Sequence, residues 1–265
     1  MTSVKLECDG MAGVWERALA ASLPASVQWA ERDGDVVLIG RQDGWAARLR
    51  ARMEAGQRRF IVIDPQVGAA GQLSDTIAMA ERIGAHIVLC ETHADNPAVA
   101  PFRVGLNGTY AAATITGQGE APMGDLVLQQ LRLARAAGFA PDAVLHAAAD
   151  ARRALATVQA HYGEDSALLR LTAVYSRAGE AHHRLMLHGR TESASLHLWS
   201  DPLARPGQAF HICEQQTTEQ PTIYESAHRA ALRRLSAASD PVPAGAVLRQ
   251  WDHDACLAMV IAGAG

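Results

Sequence analysis

The sequence predicts a shortened α/β domain with a parallel sheet, followed by an α+β domain whose antiparallel sheet carries helices on one face. Two observations lead to this fold class. Residues 1–100 alternate short apolar runs with helical patterns, which indicates right-handed βαβ units. Residues 101–265 instead carry runs with a two-residue apolar period separated by glycines, which is typical of an antiparallel meander. We therefore place the domain boundary at residue 100.

Apolar runs predict five strands in the first domain, at residues 4–8, 26–31, 35–39, 60–63 and 86–90. Helices are expected between them, the first at residues 15–23. Trp45, Leu49 and Met53 recur every four residues and so share one face of a second helix. A third helix, Ser74–Ile83, ends at Gly84, where glycine suits a left-handed C-cap.

The second domain is expected to begin with a helix from Gly124 to Ala137. Five strands should follow it, at residues 142–146, 155–162, 167–175, 184–188 and 193–199. Residues 201–221 are rich in Pro, Gln and Thr, and we interpret them as a linker. Two closing helices are predicted at residues 225–238 and 246–262.

Composition indicates a folded protein and argues against several functions. Hydrophobic residues make up 49% of the chain and charged residues 20%, enough apolar content for a sizeable core. The net charge of -4 gives no basis for nucleic-acid binding, which calls for a basic surface. No apolar run approaches the roughly 18 residues that span a bilayer. The four cysteines are far apart and no export signal is evident, so we expect a cytoplasmic protein with reduced thiols.

A glycine turn after the first strand predicts a cofactor site. A strand, a glycine turn, a helix and an acid about 20 residues further on mark a Rossmann-like dinucleotide site. Gly10 and Gly13 occupy the second and third glycine positions, and Cys8 fills the first. Glu31 stands where an acid would accept the ribose hydroxyls. Asp9 puts a carboxylate beside the expected phosphate, which is unfavourable unless Arg or Lys offsets it. NAD or NADP is a possible cofactor, and a tight turn without any cofactor explains the glycines equally well.

The order of these segments resembles the Gfo/Idh/MocA family, the dehydrogenases related to glucose–fructose oxidoreductase and inositol dehydrogenase. Four segments carry the likeness, in the family's order along the chain. The first segment is residues 35–65, in which Glu54-Ala55-Gly56 and Asp64-Pro65 are similar to the family's "EAGK" and "EKP" motifs. The second is residues 80–99, which end in an Asn-Pro loop. The third is the sheet hairpin 183–199, and the fourth is the closing helix, which is entered through residues 242–245. The resemblance covers nearly the whole chain and implies a dinucleotide-binding domain followed by a substrate domain.

The residues that the resemblance would assign to hydride transfer are replaced here. In the relatives, the lysine of Glu-Lys-Pro lies near the nicotinamide, and a His-x-x-Asp pair on the first helix of the second domain handles the proton. Asp64 stands at the lysine position, and the helix 124–132 has no such pair. The family's helix and strand between Glu31 and Asp35 are reduced to three residues. We therefore expect the adenine-side wall of the pocket to be missing and the hydride-transfer site to be lost.

Asp64 and His93 are the candidate catalytic residues for a different, acid–base chemistry. Both follow predicted parallel strands, whose carboxyl ends bind ligands in open α/β sheets. Glu91, His93 and Asp95 alternate and would face one way at a two-residue period. A histidine flanked by carboxylates can serve as a general base, although a polar, solvated loop explains the same residues. No metal site is predicted, because Cys90 and His93 lack a second ligand pair.

These observations favour a non-redox binding protein or partner subunit, or a repurposed acid–base enzyme such as a lyase or isomerase, acting on a small polar metabolite. The alternative is an NAD(P)-dependent oxidoreductase acting on a small sugar-like or carbonyl substrate. The overall resemblance, Gly10, Gly13 and Glu31 support this alternative. Neither nucleic acid nor membrane is expected as a partner.

A homo-oligomer or hetero-oligomer is expected through the second-domain sheet. The resemblance implies it, because relatives associate through the open face of that sheet. An exposed apolar sheet face marks a partner surface. Apolar side chains on two adjacent predicted strands are the candidates: Leu185, Leu187, Leu196, Leu198 and Trp199.

Overall fold

A computed structural model of the chain describes residues 4–9, 27–40, 44–106, 108–200, 205–214, 216–237 and 242–264. The chain divides into two compact units. The first comprises Met1–Glu91 with Ala227–His253, and the second comprises Thr92–Ser226 with Asp254–Gly265. The boundary that we place at residue 100 stays a prediction, and each unit is described by itself.

The first unit is built on a five-stranded parallel sheet, as predicted. Its strands are β1 (Val4–Cys8), β2 (Val27–Ala30), β3 (Val36–Ile39), β4 (Arg59–Ile63) and β5 (His86–Cys90), in the order β2-β1-β3-β4-β5. A full Rossmann sheet has the order 3-2-1-4-5-6, with a further strand outside strand 2. In the described part of this chain β2 is the edge strand, so the predicted shortening of the sheet is confirmed. The helix predicted at residues 15–23 lies outside the described residues.

The connection from β2 to β3 crosses β1 without a helix. Parallel strands of one sheet normally need a crossover of a dozen or more residues, yet only residues 31–35 separate these two. Because β2 and β3 pair with opposite edges of β1, the chain passes directly over Glu7. A Cβ atom built on Gly34 would lie 2.5 Å from the Cβ of Glu7, so only glycine fits at the crossing.

Both faces of the parallel sheet are covered. The helices α1 (Trp45–Glu54) and α2 (Ser74–Ile83) follow β3 and β4, and α1 buries Trp45, Leu49 and Met53 as their spacing predicts. A helix later in the chain, Ala227–Ala237, packs against alternate residues of the strands, among them Leu38. The intervening strand residues, such as Val37, are fully buried as well. Burial on both faces explains why these strands are apolar throughout.

The second unit is built on an eight-stranded sheet. Its strands are β6 (Tyr110–Gly119), β7 (Phe139–Ala149), β8 (Arg153–Tyr162), β9 (Asp165–Tyr175), β10 (His182–Gly189), β11 (Glu192–Trp199), β12 (Gln208–Cys213) and β13 (Gln216–Glu219). They lie in the order β13-β12-β11-β10-β6-β9-β8-β7, and β6 with β9 is the parallel pair. The remaining helices are α3 (Val99–Val104), α4 (Met123–Ala136), α5 (Ala227–Ala237) and α6 (Ala244–Ala262), of which α5 belongs to the first unit and α6 ends in the second.

Two segments differ from their sequence-based interpretation. Residues 201–221, interpreted as a linker, contain β12 and β13. All of β13 is exposed, so its polar sequence has no apolar period to reveal a strand. No element is predicted for residues 101–123, yet they contain β6, whose alanine and threonine side chains give little contrast between the two faces.

One face of the eight-stranded sheet is covered and the other is open. Leu185, Leu187, Leu196 and Leu198 have no exposed surface. They lie on the covered face, so they belong to the core and cannot form the partner surface for which they are candidates. Trp199 is half-buried on the opposite face, where it stacks on a neighbouring histidine ring at a centroid distance of 4.0 Å.

None of the described helices combines the length and the apolar character needed to cross a membrane.

A buried ion-pair network joins α4 to the end of α6. Asp254 has no exposed surface. Its Oδ2 accepts hydrogen bonds from Arg132 Nη1 at 3.0 Å and from Arg135 Nε at 2.7 Å. Arg135 also bonds the second carboxylate oxygen, which makes this pair bidentate. Because a buried carboxylate loses its hydration, it is tolerated only with such compensation.

Replacing Asp254 by Asn should lower the free energy of unfolding by about 3 kcal/mol, since two arginines lose their buried counter-charge. Urea unfolding followed by circular dichroism measures the change. Exposed Glu164 provides the control, and E164Q should cost less than about 0.5 kcal/mol. Equal stability of D254N and the unchanged protein would contradict the role given to this network.

Candidate functional site

The carboxyl edge of the parallel sheet is rich in acidic residues. The residues that directly follow β1 to β5 are, in order, Asp9, Glu31, Gly40, Asp64 and Glu91. Ligands of open α/β sheets bind at this edge, at the point where the strand order reverses. The reversal lies between β1 and β3, because the chain runs outward from β1 to β2 and returns on the other side of β1. The ends of β1 and β3 are therefore the first place to look for a ligand site.

The structure describes two of the four predicted cofactor residues. Cys8 ends β1, half-buried and in register with Leu38 of β3. Glu31 directly follows β2 and is exposed. Gly10 and Gly13 lie outside the described residues. The binding roles of all four remain predictions.

Two arginines of α1 offset the carboxylate of Asp9. Arg52 Nε donates a hydrogen bond to Asp9 Oδ1 at 2.7 Å, and Arg48 Nη1 lies 3.6 Å from Asp9 Oδ2. Asp9 is therefore not an isolated negative charge at the end of β1. The condition set by the sequence, an Arg or Lys to offset this residue, is met by residues 39 and 43 positions further along the chain.

Both arginines are also held by a second contact. Arg52 Nη2 donates to Glu7 Oε1 at 2.8 Å, and Arg48 Nη2 donates to the carbonyl oxygen of Gly40 at 2.8 Å. Glu7 is 4% exposed, and its other oxygen accepts the Gly34 amide at 3.0 Å. The hydrogen bond to Asp9, followed by the negative charge of Glu7, raises the pKa of Arg52.

Asp64 has an unusual backbone conformation at the end of β4. Its φ is 40°, in the left-handed region that side chains other than glycine rarely adopt. Its amide donates to the carbonyl oxygen of Cys90 at 2.9 Å, which fixes it beside the end of β5. A strained residue at a ligand-binding edge costs of order 1–3 kcal/mol and often has a functional reason. This observation keeps Asp64 as a candidate site residue.

His93 lies in a turn of the second unit and is 5% exposed. The strand β5 ends at Cys90 and residues 92–95 form turns. Glu91, His93 and Asp95 therefore do not share one side as strand residues would, because a two-residue period holds only within a strand. His93 instead contacts the ring of His183, with 4.1 Å between the ring centroids.

His183 lies in a buried polar cluster that the sequence does not reveal. It is fully buried on the covered face of β10, next to Gly117 of β6 and Gln130 of α4. A Cβ atom on Gly117 would come within 2.7 Å of the His183 ring, so glycine makes room for the imidazole. Gln130 Nε2 donates to the Thr172 carbonyl oxygen at 2.7 Å. Burial, with smaller contributions from His93 and His182, holds the pKa of His183 well below its ordinary value, against an opposing contact with the Leu126 backbone.

The described residues offer neither a catalytic lysine nor a metal site at the carboxyl edge of the sheet. Lys5 is its only lysine. It is exposed near the amino end of β1, away from the carboxyl edge of the sheet. Among the described residues, no group of three or more His, Cys, Asp or Glu side chains is arranged to hold a metal ion.

Known proteins match this chain by fold and not by sequence. No family model and no curated protein matches it. UDP-N-acetylglucosamine 3-dehydrogenase GnnA from Acidithiobacillus ferrooxidans matches with a TM-score of 0.77 at 14% identity, covering 100% of this chain and 98% of that chain. The dehydrogenase MviM from Clostridium difficile gives a TM-score of 0.74 at 7% identity, with 99% of each chain covered.

A third match is KijD10, a 3-ketoreductase from Actinomadura kijaniata in complex with TDP-benzene and NADP. Its TM-score is 0.67 at 14% identity, with 99% of this chain and 96% of that chain covered. This chain has the fold of Gfo/Idh/MocA-type oxidoreductases. The resemblance seen in the sequence is thereby confirmed for the fold. At sequence identities of 7–14%, the similarity shows the fold alone. The function of the site has to be inferred from its own contacts.

Sequence reasoning missed Arg48, Arg52 and His183. The two arginines occur one helical turn apart on α1, a spacing that puts both on the same side of the helix. That spacing was a usable signal, but their partners on β1 are far away in the chain. His183 follows another histidine on a strand, and only strand register shows that it faces the core.

The depressed pKa of His183 predicts a loss of stability in acid. Below about pH 6.5 the unfolded chain binds a proton on this imidazole, whereas the folded state excludes it. The unfolded state therefore binds more protons, so stability falls with decreasing pH, by up to about 1.4 kcal/mol per pH unit. H183F should remove that part of the slope in urea unfolding measured between pH 7.5 and 5.5. The same substitution at exposed His146 is the control, and equal slopes for H183F and the unchanged protein would show that His183 titrates normally.

Proposed function

We propose that this protein is an NAD(P)-dependent oxidoreductase acting on a small sugar-like or carbonyl substrate. The observation that carries the proposal is the contact of Arg48 and Arg52, on α1, with Asp9 at the end of β1. Their charges offset the Asp9 carboxylate, which would otherwise repel a pyrophosphate where the strand order reverses. With that charge offset, the glycine turn after β1 meets the electrostatic requirement of a dinucleotide site.

The matched structures support the same class of cofactor and substrate. One is named a UDP-N-acetylglucosamine 3-dehydrogenase, and another is a 3-ketoreductase in complex with NADP. Both align with this chain over nearly their whole length. Nucleotide-linked sugars and keto sugars are therefore the first substrates to assay.

The proton that accompanies hydride transfer must be handled without lysine. A bound nicotinamide would supply hydride chemistry, and a side chain of this protein would then exchange a proton with the substrate oxygen. Lys5 is at the wrong end of its strand for this role. Histidine is the side chain whose ordinary titration falls between pH 5 and 8. We assign the proton transfer to His93, and we keep Asp64 as the second candidate.

Titration of the purified protein with NADH and NADPH should quench tryptophan fluorescence and raise the melting temperature. H93Q should keep the cofactor affinity and lower kcat by about 100-fold or more, since positioned acid–base groups contribute 10²–10⁴-fold. Exposed His146 supplies the matched variant H146Q, which should be fully active. Absence of any response at millimolar NADH and NADPH would remove the oxidoreductase proposal, and full activity of H93Q would remove only the role of His93.

A second candidate is a non-redox protein that binds a small polar metabolite, alone or as a partner subunit, or uses Asp64 and His93 for acid–base catalysis. The observation that favours it is the short crossover 31–35, because β2 is then the edge of the described sheet and no strand flanks the expected adenine position. Any turnover of NADH or NADPH by the purified chain would exclude the binding-protein form. Metabolite binding without any cofactor response would favour it over the oxidoreductase.

Self-association through the open face of the eight-stranded sheet is part of the proposal. Strand register places four exposed aliphatic side chains on this face, namely Leu155, Leu168, Val174 and Ile212, which are 48%, 43%, 38% and 41% exposed. Eight strands at a spacing of about 4.8 Å give a face on the order of 1,000 Å². A standard protein interface needs about 800 Å² from each partner. The face is large enough for a second copy of the chain.

Met186 lies near the middle of the open face, in register with Thr114 and Ser195. M186E should convert a dimer to a monomer in analytical ultracentrifugation, because it adds a charge that association would have to desolvate. V104E makes the same change at a residue that is 83% exposed on α3, and it should leave the dimer intact. A clean monomer of the unchanged protein at high concentration would refute self-association.

A further inference from the structure

We propose that Asp9 is a placeholder: its carboxylate occupies a two-arginine anion site that receives the phosphate of a diphosphate ligand. The inference rests on the proposed function in taking that diphosphate to be the pyrophosphate of the cofactor. The site consists of Asp9, Arg48 and Arg52, all in the first unit.

The arginines keep their positions without the Asp9 side chain. Arg52 remains bonded to Glu7 at 2.8 Å, and Arg48 remains bonded to the Gly40 carbonyl oxygen at 2.8 Å. Glu7 is itself fixed, because it is nearly fully buried and accepts the Gly34 amide. If the Asp9 carboxylate turns away, both guanidinium groups still face the position that it leaves. Such a site is preorganised, so an incoming anion does not have to order it.

Asp9 fills this position incompletely. Its carboxylate makes a short hydrogen bond to Arg52 Nε, at 2.7 Å, but its nearest side-chain approach to Arg48 is 3.6 Å. The carboxylate therefore bonds the Arg52 guanidinium and lies at ion-pair distance from Arg48, whose Nη1 donates to the Asp9 carbonyl oxygen at 3.4 Å. A phosphate group has more oxygens and a larger span, and arginine binds phosphate with paired, charge-assisted hydrogen bonds. The phosphate can engage both arginines at once.

The Asp9 side chain can leave while its backbone stays in place. The Asp9 amide donates to the Leu38 carbonyl oxygen at 2.9 Å, which extends the pairing of β1 with β3 by one residue. The side chains of Arg48 and Arg52 are 24% and 28% exposed, whereas the Glu7 side chain is 6% exposed. The Asp9 side chain is 17% exposed, so solvent reaches Asp9 and the two arginines but hardly reaches Glu7.

The Asp9 carboxylate competes with the ligand phosphate for Arg48 and Arg52, because it has to move aside for the phosphate and stays nearby. D9N removes this competition while its amide oxygen can still accept from Arg52. We expect D9N to bind inorganic pyrophosphate, ADP and NADPH about 5- to 10-fold more tightly than the unchanged protein in isothermal titration calorimetry, a gain of the size given by one close charge pair. R48Q should weaken all three by about 10-fold or more. E54Q removes one charge from the same helix outside the cluster, from a side chain 57% exposed, and should change affinity by less than about twofold.

The three probes separate this inference from the proposed function. Binding of pyrophosphate and ADP, with higher affinity in D9N and lower affinity in R48Q, would support the anion site. If NADPH fails to bind in the same experiments, only the oxidoreductase proposal is refuted. NADPH that binds equally to D9N and to the unchanged protein overturns the placeholder and leaves the oxidoreductase proposal standing. Failure of pyrophosphate to bind at 10 mM to D9N, with the fold intact by circular dichroism, also overturns it (about 10 mM corresponds to negligible affinity).

Discussion

The two contacts of the buried Glu7 carboxylate, with the Gly34 amide and with Arg52, hold the first unit together at the crossing of β1. A carboxylate with 4% exposure needs charge or hydrogen-bond compensation. Glu7 obtains it from the Gly34 amide above and from Arg52 at its side. The first contact holds the short crossover on the sheet, and the second holds α1 against β1. The short crossover that takes the place of a helix and a strand of a full Rossmann domain is therefore linked through Glu7 to Arg52 at the sheet edge.

That link changes how the phosphate position is built. A glycine-rich turn binds pyrophosphate with backbone amides and a helix N-terminus, and in this chain Cys8 and Asp9 make the turn less suitable. Arg48 and Arg52 supply side-chain charge at the same strand end. In the proposed dinucleotide site, α1 would therefore supply the positive charge that the turn lacks, and a broken glycine fingerprint does not by itself exclude a dinucleotide.

The sequence predicts the fold well and the site only in part. Apolar runs locate all five parallel strands, because burial on both faces leaves a clear signal. The exposed strand β13 gives no such signal and is missed. At the site, strand ends identify Asp9 and Asp64 as acids near a ligand position, but the compensating Arg52 lies 43 residues from Asp9, and no local pattern joins them. The alternation of Glu91, His93 and Asp95 fails because periodicity was extended beyond the end of a strand.

The same rule governs every buried polar group with a defined role in this chain: a charge is either paired or avoided. Glu7 and Asp254 each form an ion pair with an arginine, a side chain that stays protonated at any ordinary pH. The titratable groups that act on the pKa of His183 are two further histidines, His93 and His182, and both lower it. Burial is the main cause of the low pKa of His183. The neighbouring His93 ring, 4.1 Å away between centroids, lowers the pKa of His183 further, because two positive charges at that distance would repel each other.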